Sequence, residues 1–503
     1  MQSCPWPRRS QILNLRLSLF DSLRLGQRPA RQRLLVLFMC LLAMGGRAPA
    51  KQAPAALRRK VLALIGPYEK KSHAIACVSA VDLHTGRPIL AIRDDRLQIP
   101  ASNQKLLTGA FALVRLGGGF RFETTVYLLP SGDICIAGSH DPTLGDPSLA
   151  KTAGVSIYAE LDRWAGAIKS KVGRTVRGDV LLRCRRPGSD HRHEDWPVAQ
   201  RQKRYAAPVC ELNFHNNCFD VRFAVVSGRV RPEVQPRSRL ICILSKVKRG
   251  SSGLWSLRAN DDDSMLTLRG SVKGPTSSPY SVAANYPSLL LGRVLIDRLE
   301  RTGIALQGRL RQVRPRDVDL SAAQILCRTT RPLSVVLTRA NKRSLNMAAE
   351  SIFLQAGDGT WDGSAGLMEA ALTRSFALRP GSLKVRDGSG LSGANRVSAG
   401  AMTKVLLGAG RRGDAKLLIS SLPSAGVDGT LKKRLRQKPY RGRVRAKTGY
   451  IRGASCLSGY VLDKTGAAAV AFSALVNRVP SGKAWQAKQL QDAIVRLLVD
   501  SLR

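Results

Sequence analysis

Apolar residues recur at helical intervals in some stretches of the chain and in short β-prone runs in others. Helical spacing predicts helices over 54–65, from Ser102 onward, over 332–356 and 401–421, and in the closing segment 484–503. The β-prone runs lie at 74–83, 88–92, 444–448, 454–462 and 467–476. Helices on both sides of a strand meander predict an α+β domain, with its first strands supplied by the N-terminal part of the chain.

The middle of the chain has a different texture, with short β-prone runs separated by many Gly, Pro and Ser residues. We predict one or two mostly β domains at 121–316, inserted between two parts of one catalytic domain, 51–120 and 317–503. A length of 503 residues fits this division, because ordinary domains have roughly 100–200 residues.

The N-terminal region resembles a secretory signal. Arg31 and Arg33 precede an apolar run over 34–46, and the small-residue stretch 48–50 follows it. The run is too short to span a bilayer comfortably. We therefore predict that residues 1–50 form a signal peptide with its n-region. The mature protein is then expected to be exported to the periplasm or cell envelope without a stable transmembrane anchor.

Charge and cysteine content change this picture only modestly. The 81 Lys and Arg residues exceed the 35 Asp and Glu residues and give a formal charge of +46, which attracts polyanions. The cations are spread along the chain and aromatic residues are only 5%, so no specific nucleic-acid partner is expected.

Eight cysteines follow residue 50, and they permit either disulfides or free buried thiols. Their spacing suggests no metal site, and no cofactor is predicted.

Ser102 and Lys105 form an S-x-x-K element at a predicted helix start. Residues three apart lie on the same helix face, so the amine of Lys105 can reach the Ser102 hydroxyl. A lysine in a partly dry, cationic site loses its proton easily and can serve as a base. The same spacing recurs at 148–151 and 245–248, but neither copy precedes a long apolar helix, and we interpret both as solvated surface.

Ser344 and Asn346 form an S-x-N element in front of another helical run. A hydroxyl there could relay a proton to a leaving amine, and a carboxamide could hold a substrate backbone. Taken alone, the same residues are better explained as a helix N-cap, which Ser and Asn favour.

Lys447, Thr448 and Gly449 form a K-T-G element on a predicted strand. The cation can bind a terminal carboxylate, and glycine lets a substrate backbone come close. A second copy at 464–466 lies between two apolar strands and is better explained as their turn.

The three elements in this order are far more specific than any one of them, because related elements occur together in penicillin-binding proteins. Further short segments of the sequence resemble those of the low-molecular-mass class C penicillin-binding proteins, the D-alanyl-D-alanine carboxypeptidase/endopeptidase family. They lie at 138–144, 205–209, 213–217, 387–392 and 426–431. That family also carries a large insertion between S-x-x-K and S-x-N, as this chain does. The resemblance implies a penicillin-binding transpeptidase-like fold, with an antiparallel sheet flanked by helices and a helical subdomain.

The resemblance also implies catalytic roles. Ser102 would be the nucleophile that forms an acyl-enzyme, Lys105 its general base and Ser344 the proton relay. The backbone N–H groups of Ser102 and Tyr450 would form the oxyanion hole.

Substrate binding follows from the same resemblance. Asn346 would bind the substrate amide, Lys447 and Thr448 would hold the terminal carboxylate side, and Gly449 would lie beside the substrate. Relatives often carry Arg where this chain has Gly393, and the contact to the stem-peptide side chain is expected to differ accordingly.

The expected function is therefore that of a metal-free serine D-Ala-D-Ala carboxypeptidase or endopeptidase. Its partners would be peptidoglycan stem peptides, with β-lactams as covalent inhibitors. Two alternatives stay open at this point. One is a β-lactamase-like hydrolase, disfavoured by the long insertion. The other is a catalytically retired envelope protein that binds polyanions, which the charge of +46 would support.

Overall fold

The computed structural model describes residues 53–502, and the predicted signal at 1–50 lies outside the described residues. The helices are α1 (Ala53–Ser72), α2 (Gln104–Arg115), α3 (Pro147–Ala153), α4 (Ala159–Val172), α5 (Pro287–Arg301), α6 (Leu333–Lys342), α7 (Asn346–Ala356), α8 (Trp361–Phe376), α9 (Ala399–Gly410), α10 (Ala415–Ser421) and α11 (Ala484–Asp500).

The strands are β1 (Ile75–Asp82), β2 (Pro88–Ile92), β3 (Leu97–Gln98), β4 (Arg121–Leu128), β5 (Ile134–Gly138), β6 (Thr175–Val176), β7 (Val180–Arg183), β8 (Cys218–Val226), β9 (Arg229–Gln235), β10 (Cys242–Arg249), β11 (Trp255–Ala259), β12 (Met265–Val272), β13 (Tyr280–Ala283), β14 (Ala305–Leu306), β15 (Leu310–Val313), β16 (Gln324–Pro332), β17 (Leu383–Lys384), β18 (Arg396–Ser398), β19 (Val444–Ile451), β20 (Ala454–Leu462) and β21 (Ala468–Asn477).

A five-stranded antiparallel sheet has the order β19-β20-β21-β1-β2. It combines the first two strands of the described chain with the last three. Its side chains alternate between two hydrophobic cores, as the period of two in a strand requires. On β20, Leu457 faces the core beneath α1 and α11, whereas Cys456 and Tyr460 face the core formed with α2 and α6–α9. The first and last described helices, α1 and α11, thus cover one face of the sheet, and α2 and α6–α9 cover the other.

A second five-stranded sheet, in the order β15-β7-β5-β4-β16, lies where the chain leaves and re-enters this part of the molecule. β4 follows α2 and pairs antiparallel with β16, which leads into α6. Residues between them form a separate hydrophobic core that includes Trp164, Phe219 and Leu295. Because β4 and β16 pair with each other, the helices next to them in the chain, α2 and α6, are held close together despite the long insertion between them.

Most of the predicted elements are present, with several differences. The predicted helix at 332–356 is interrupted between α6 and α7, and the predicted helix at 401–421 is likewise divided into α9 and α10. The middle of the chain was expected to be mostly β, and α3, α4 and α5 were not predicted there. Ser102 lies in a 3₁₀ turn at 101–103 that precedes α2, so the α-helix itself begins two residues later than Ser102.

All eight cysteines in the described part of the chain are free thiols, seven of them buried, so of the two alternatives the structure favours unpaired cysteines. Among the described helices, none combines the length and the apolar character needed to cross a membrane.

Candidate active site

Ser102 stands at the start of α2, with its hydroxyl beside a buried amine. The Lys105 Nζ atom lies 3.1 Å from the Ser102 Oγ atom. The preceding residue, Ala101, has a φ of 47°, which turns the chain sharply into the helix. The S-x-x-K spacing therefore gives the local contact expected of residues three apart on one helical turn.

Two further acceptors surround the amine of Lys105. Its Nζ atom donates to Asn346 Oδ1 and to the carbonyl oxygen of Ser389, each at 2.7 Å. Burial lowers the pKa of Lys105 to about 8, while the nearby carboxylates of Glu350 and Asp387 act in the opposite direction. The amine can therefore lose its proton near neutral pH.

Helix α7, which is mostly apolar, carries two polar residues on the side of this amine, Asn346 and Glu350. Asn346, at its first position, also donates from Nδ2 to the carbonyl oxygen of Tyr205 at 2.8 Å. Glu350 lies one turn later and is fully buried. Its two carboxylate oxygens accept the backbone N–H groups of Gly388 and Ser389, each at 2.8 Å.

The segment 387–395 is organised around the buried carboxylate of Asp387. Its Oδ1 atom accepts from the backbone of Gly390 and from the Asn395 side chain, both at 2.8 Å. Its Oδ2 atom accepts from Trp196 Nε1 at 2.9 Å and from the backbone of Ser392 at 2.6 Å. The Asp387 carboxylate therefore fixes the conformation of the segment 387–395 beside Lys105 and links this segment to Trp196 of the inserted region.

Ser344 lies in the break between α6 and α7, in a left-handed conformation with a φ of 53°. Its hydroxyl accepts from Lys447 Nζ at 2.9 Å, and that amine also donates to the Thr448 carbonyl oxygen at 2.7 Å. Burial and the neighbouring Lys105 both lower the pKa of Lys447. The break in the predicted helix thus places a serine hydroxyl beside the strand that carries Lys447.

The K-T-G strand packs directly against the turn that carries Ser102. A β-carbon placed on Gly449 would lie 2.8 Å from the Pro100 carbonyl oxygen and 3.1 Å from the Ser102 backbone nitrogen. Only a glycine allows this approach without displacing the turn. Thr448 donates to the Thr430 hydroxyl at 2.8 Å, and the Tyr450 side chain is exposed.

The fold thus brings the three sequence elements into one place, and the other copies lie elsewhere. Residues 148–151 belong to the short helix α3, and 245–248 to the strand β10. Residues 464–466 form the turn between β20 and β21, as predicted. In the described part of the chain, no cluster of three or more His, Cys, Asp or Glu side chains could hold a metal ion.

Sequence reasoning missed the residues that support Lys105. Glu350 carried a signal, because it is the one charged residue in the apolar helix α7. The carbonyl groups of Ser389 and Tyr205 carried none, since a backbone acceptor has no side-chain signature.

An α+β core, a long insertion and two serine hydroxyls, each hydrogen-bonded by its own buried lysine, define the penicillin-binding class of serine acyl-transfer enzymes. Comparison with known proteins gives the family. The chain belongs to the D-Ala-D-Ala carboxypeptidase 3 (S13) family, whose model matches residues 61–500. It is thus a serine-type D-Ala-D-Ala carboxypeptidase.

Two curated relatives match most of the chain. A D-alanyl-D-alanine carboxypeptidase of Actinomadura sp. (strain R39) is 30% identical over 455 residues, covering 84% of this chain and 81% of the relative. The D-alanyl-D-alanine carboxypeptidase DacB of Haemophilus influenzae is 27% identical over 426 residues, covering 80% of this chain and 85% of the relative. The match to the family model, over 61–500, spans the insertion as well as the three sequence elements.

Solved structures agree on the fold. Penicillin binding protein 4 of Haemophilus influenzae has a TM-score of 0.72 at 22% identity, covering 86% of this chain and 99% of that protein. A predatory peptidoglycan endopeptidase from Bdellovibrio bacteriovorus has a TM-score of 0.51 at 15% identity, covering 85% of this chain and 93% of that protein.

Proposed function

We propose that this enzyme cleaves D-Ala-D-Ala ends and cross-bridges of peptidoglycan stem peptides through an ester on Ser102, and that penicillin acylates the same serine. The observation that carries the proposal is the pair of buried lysines. Lys105 lies 3.1 Å from the Ser102 hydroxyl, and Lys447 lies 2.9 Å from the Ser344 hydroxyl. Each of the two serine hydroxyls therefore accepts a hydrogen bond from its own buried amine.

In the acylation step, Lys105 takes the proton of Ser102 as the Ser102 oxygen attacks the carbonyl carbon of the scissile bond. The negative charge that develops on the carbonyl oxygen is stabilised by the backbone N–H groups of Ser102 and Tyr450. The tetrahedral intermediate then breaks its C–N bond, and the leaving amine takes a proton through the Ser344 hydroxyl. Water attacks the resulting ester, which releases the shortened peptide and restores the Ser102 hydroxyl.

Substrate placement is assigned to the groups around these two serines. Asn346 binds the substrate amide, while Lys447 and Thr448 hold the end of the peptide that carries the terminal carboxylate. Gly449 leaves room beside the Ser102 turn, where a β-carbon would meet the Ser102 nitrogen at 3.1 Å. Tyr450 contributes only through its backbone N–H. Its exposed ring lies beneath Lys488, whose Nζ atom is 5.9 Å from the ring centroid.

Covalent labelling tests the nucleophile. Mass spectrometry after incubation with penicillin is expected to find one adduct, on the peptide that contains Ser102. Ser102→Ala is expected to abolish the adduct, whereas Ser148→Ala, in the other S-x-x-K copy on α3, is expected to retain it. A folded wild-type enzyme that takes up no adduct would refute the mechanism. Release of D-Ala from a D-Ala-D-Ala peptide, and cleavage of cross-linked muropeptide dimers, measure the two hydrolytic activities separately.

The organisation of the chain belongs to the same proposal. Residues 1–50 are proposed to direct export to the periplasm or envelope, where peptidoglycan lies. Residues 51–120 and 317–503 are proposed as the catalytic domain, and 121–316 as the insertion. Support for this division comes from the separate hydrophobic core of the insertion and from the pairing of β4 with β16. N-terminal sequencing of the secreted protein tests the cleavage near residue 50.

A further inference from the structure

The buried carboxylate of Glu350 is linked by hydrogen bonds to the surroundings of Lys105. Glu350 is fully buried, and both of its oxygens are occupied by the successive N–H groups of Gly388 and Ser389. The carbonyl oxygen of Ser389 accepts from Lys105 Nζ at 2.7 Å. The peptide units 388–389 therefore connect Glu350 directly to the amine.

The second acceptor of Lys105 comes from the same helix. Asn346 and Glu350 are four residues apart on α7, and so lie on one face of the helix. Asn346 reaches the amine through its own side chain, at 2.7 Å, and Glu350 reaches it through the 388–389 backbone. One rigid helix thereby fixes both acceptors.

These two acceptors decide which way the amine faces. A neutral amine has two N–H donors and one lone pair. The Asn346 and Ser389 oxygens can only accept, so together they take both N–H groups. The lone pair is left for the third neighbour, the Ser102 hydroxyl, 3.1 Å away. That orientation is the one in which Lys105 can take a proton from Ser102.

We propose that Glu350 is a positioning residue for acylation: it anchors the 388–389 turn, and this turn together with Asn346 directs the Lys105 lone pair at Ser102. The inference rests on the proposed function, because it assigns Glu350 a part in activating the same serine. Thr108 supports the turn from the other side, where its hydroxyl donates to the Gly388 carbonyl oxygen at 2.6 Å.

The charge of Glu350 adds an electrostatic consequence. The ionisable groups around this carboxylate are Lys105 on α2 and Asp387 at the start of the loop, and Lys447 on β19 acts on Lys105 in turn. Burial and the neighbouring Asp387 raise the pKa of Glu350 to about 8, whereas hydrogen bonds from Ser389 and from the Gly388 N–H, together with the Lys105 ammonium, favour its charged form. The charge of Glu350 raises the pKa of Lys105 against the effect of burial. Removing that charge should therefore let Lys105 lose its proton at lower pH.

The test is the rate constant of acylation by fluorescent penicillin as a function of pH, in wild type and in Glu350→Gln. Gln keeps the size but presents an amide N–H to one of the two backbone donors. We expect acylation at its plateau to slow by about tenfold to a hundredfold. We also expect the acid limb of the profile to move to lower pH, which a purely structural role would not cause.

Asp263→Asn is the matched control. The Asp263 carboxylate is also buried and also accepts two successive backbone N–H groups, those of Asn285 and Tyr286, but it lies in the insertion. Its variant is expected to keep the wild-type rate and profile. A folded Glu350→Gln enzyme with the wild-type rate and acid limb would overturn the inference. If wild type itself takes no penicillin, the proposed function fails instead.

A second variant keeps the inference testable if Glu350→Gln does not fold. Thr108→Val removes the other support of the 388–389 turn without changing charge. It is expected to slow acylation severalfold and to leave the acid limb in place. Acylation by Thr108→Val at the wild-type rate would show that the position of the turn does not control Lys105, and would overturn the inference.

Discussion

Replacing Asn346 with Asp puts a negative charge beside the amine that activates Ser102, with almost no change in shape. The Asn346 Oδ1 atom lies 2.7 Å from Lys105 Nζ, so a carboxylate oxygen would take its place in the same hydrogen bond. The reactive form of Lys105 is the neutral amine, and acylation is expected to increase as the pH rises through its pKa of about 8. A carboxylate stabilises the ammonium form, so the variant should need a higher pH.

The size of the effect follows from this distance. An opposite charge in contact with an ionisable group shifts the pKa of that group by about 1 to 3. Below the midpoint of the profile, each pH unit lowers the neutral fraction of the amine about tenfold. Asn346→Asp should therefore acylate roughly 10 to 1000 times more slowly than wild type at neutral pH. Part of the loss should be recovered at alkaline pH.

The assay is the acylation rate with fluorescent penicillin, measured between about pH 6 and pH 10, around the pKa of Lys105. The quantity to compare is the midpoint pH of the profile. The plateau rate is less informative, because Asn346 is also proposed to bind substrate and its replacement can lower that rate. Asn341→Asp is the control: Asn341 is a buried amide on α6, and its Nδ2 atom donates to Ser421 rather than approaching Lys105. A midpoint for Asn346→Asp that stays in place or moves to lower pH would refute this account of Lys105.

Two further substitutions test the walls of the site. Asp387→Asn should lower the free energy of unfolding by about 2–5 kcal/mol. The Trp196 and Ser392 N–H groups share one oxygen of this carboxylate, and in the variant an amide NH₂ would face them. Urea unfolding measures the change, and a wild-type free energy of unfolding would contradict it. Gly449→Ala should slow penicillin acylation by about tenfold or more, because its β-carbon would lie 2.8 Å from the Pro100 carbonyl oxygen and 3.1 Å from the Ser102 nitrogen and would displace the Ser102 turn. A wild-type acylation rate in the folded variant would contradict this.

Local features of the site could be predicted from the sequence because short-range geometry fixes them. Ser102 and Lys105 are three residues apart, and the helical period predicts their contact before any fold is known. The second K-T-G copy was predicted to form a turn because apolar strands flank it, and 464–466 do form the turn between β20 and β21. The strands at the C-terminal end were predicted within a few residues of their bounds, because their β-prone residues are continuous and buried.

Other features depended on which distant residues the fold brings together. The apolar spacing at 332–356 continues across the break between α6 and α7, and only the N-cap interpretation of the S-x-N element marked a helix start there. This break places Ser344 beside Lys447. The helices of the insertion were missed for a different reason. The apolar residues of α4 do recur at helical intervals, at Leu161, Trp164, Ala165 and Ile168, but the many Gly, Pro and Ser residues and short β-prone runs around them favoured a mostly β prediction.

By itself, then, the sequence determined the residue types, the local pairs and the order of the three elements, since these follow from spacing along one helix or strand. Only the tertiary structure decided that Glu350 reaches Lys105 through the backbone of Ser389, which lies on another segment of the chain. The physical reason is that a backbone carbonyl is available at every residue. Which carbonyl meets a buried amine is set by the packing of whole elements, and spacing along the chain carries no record of it.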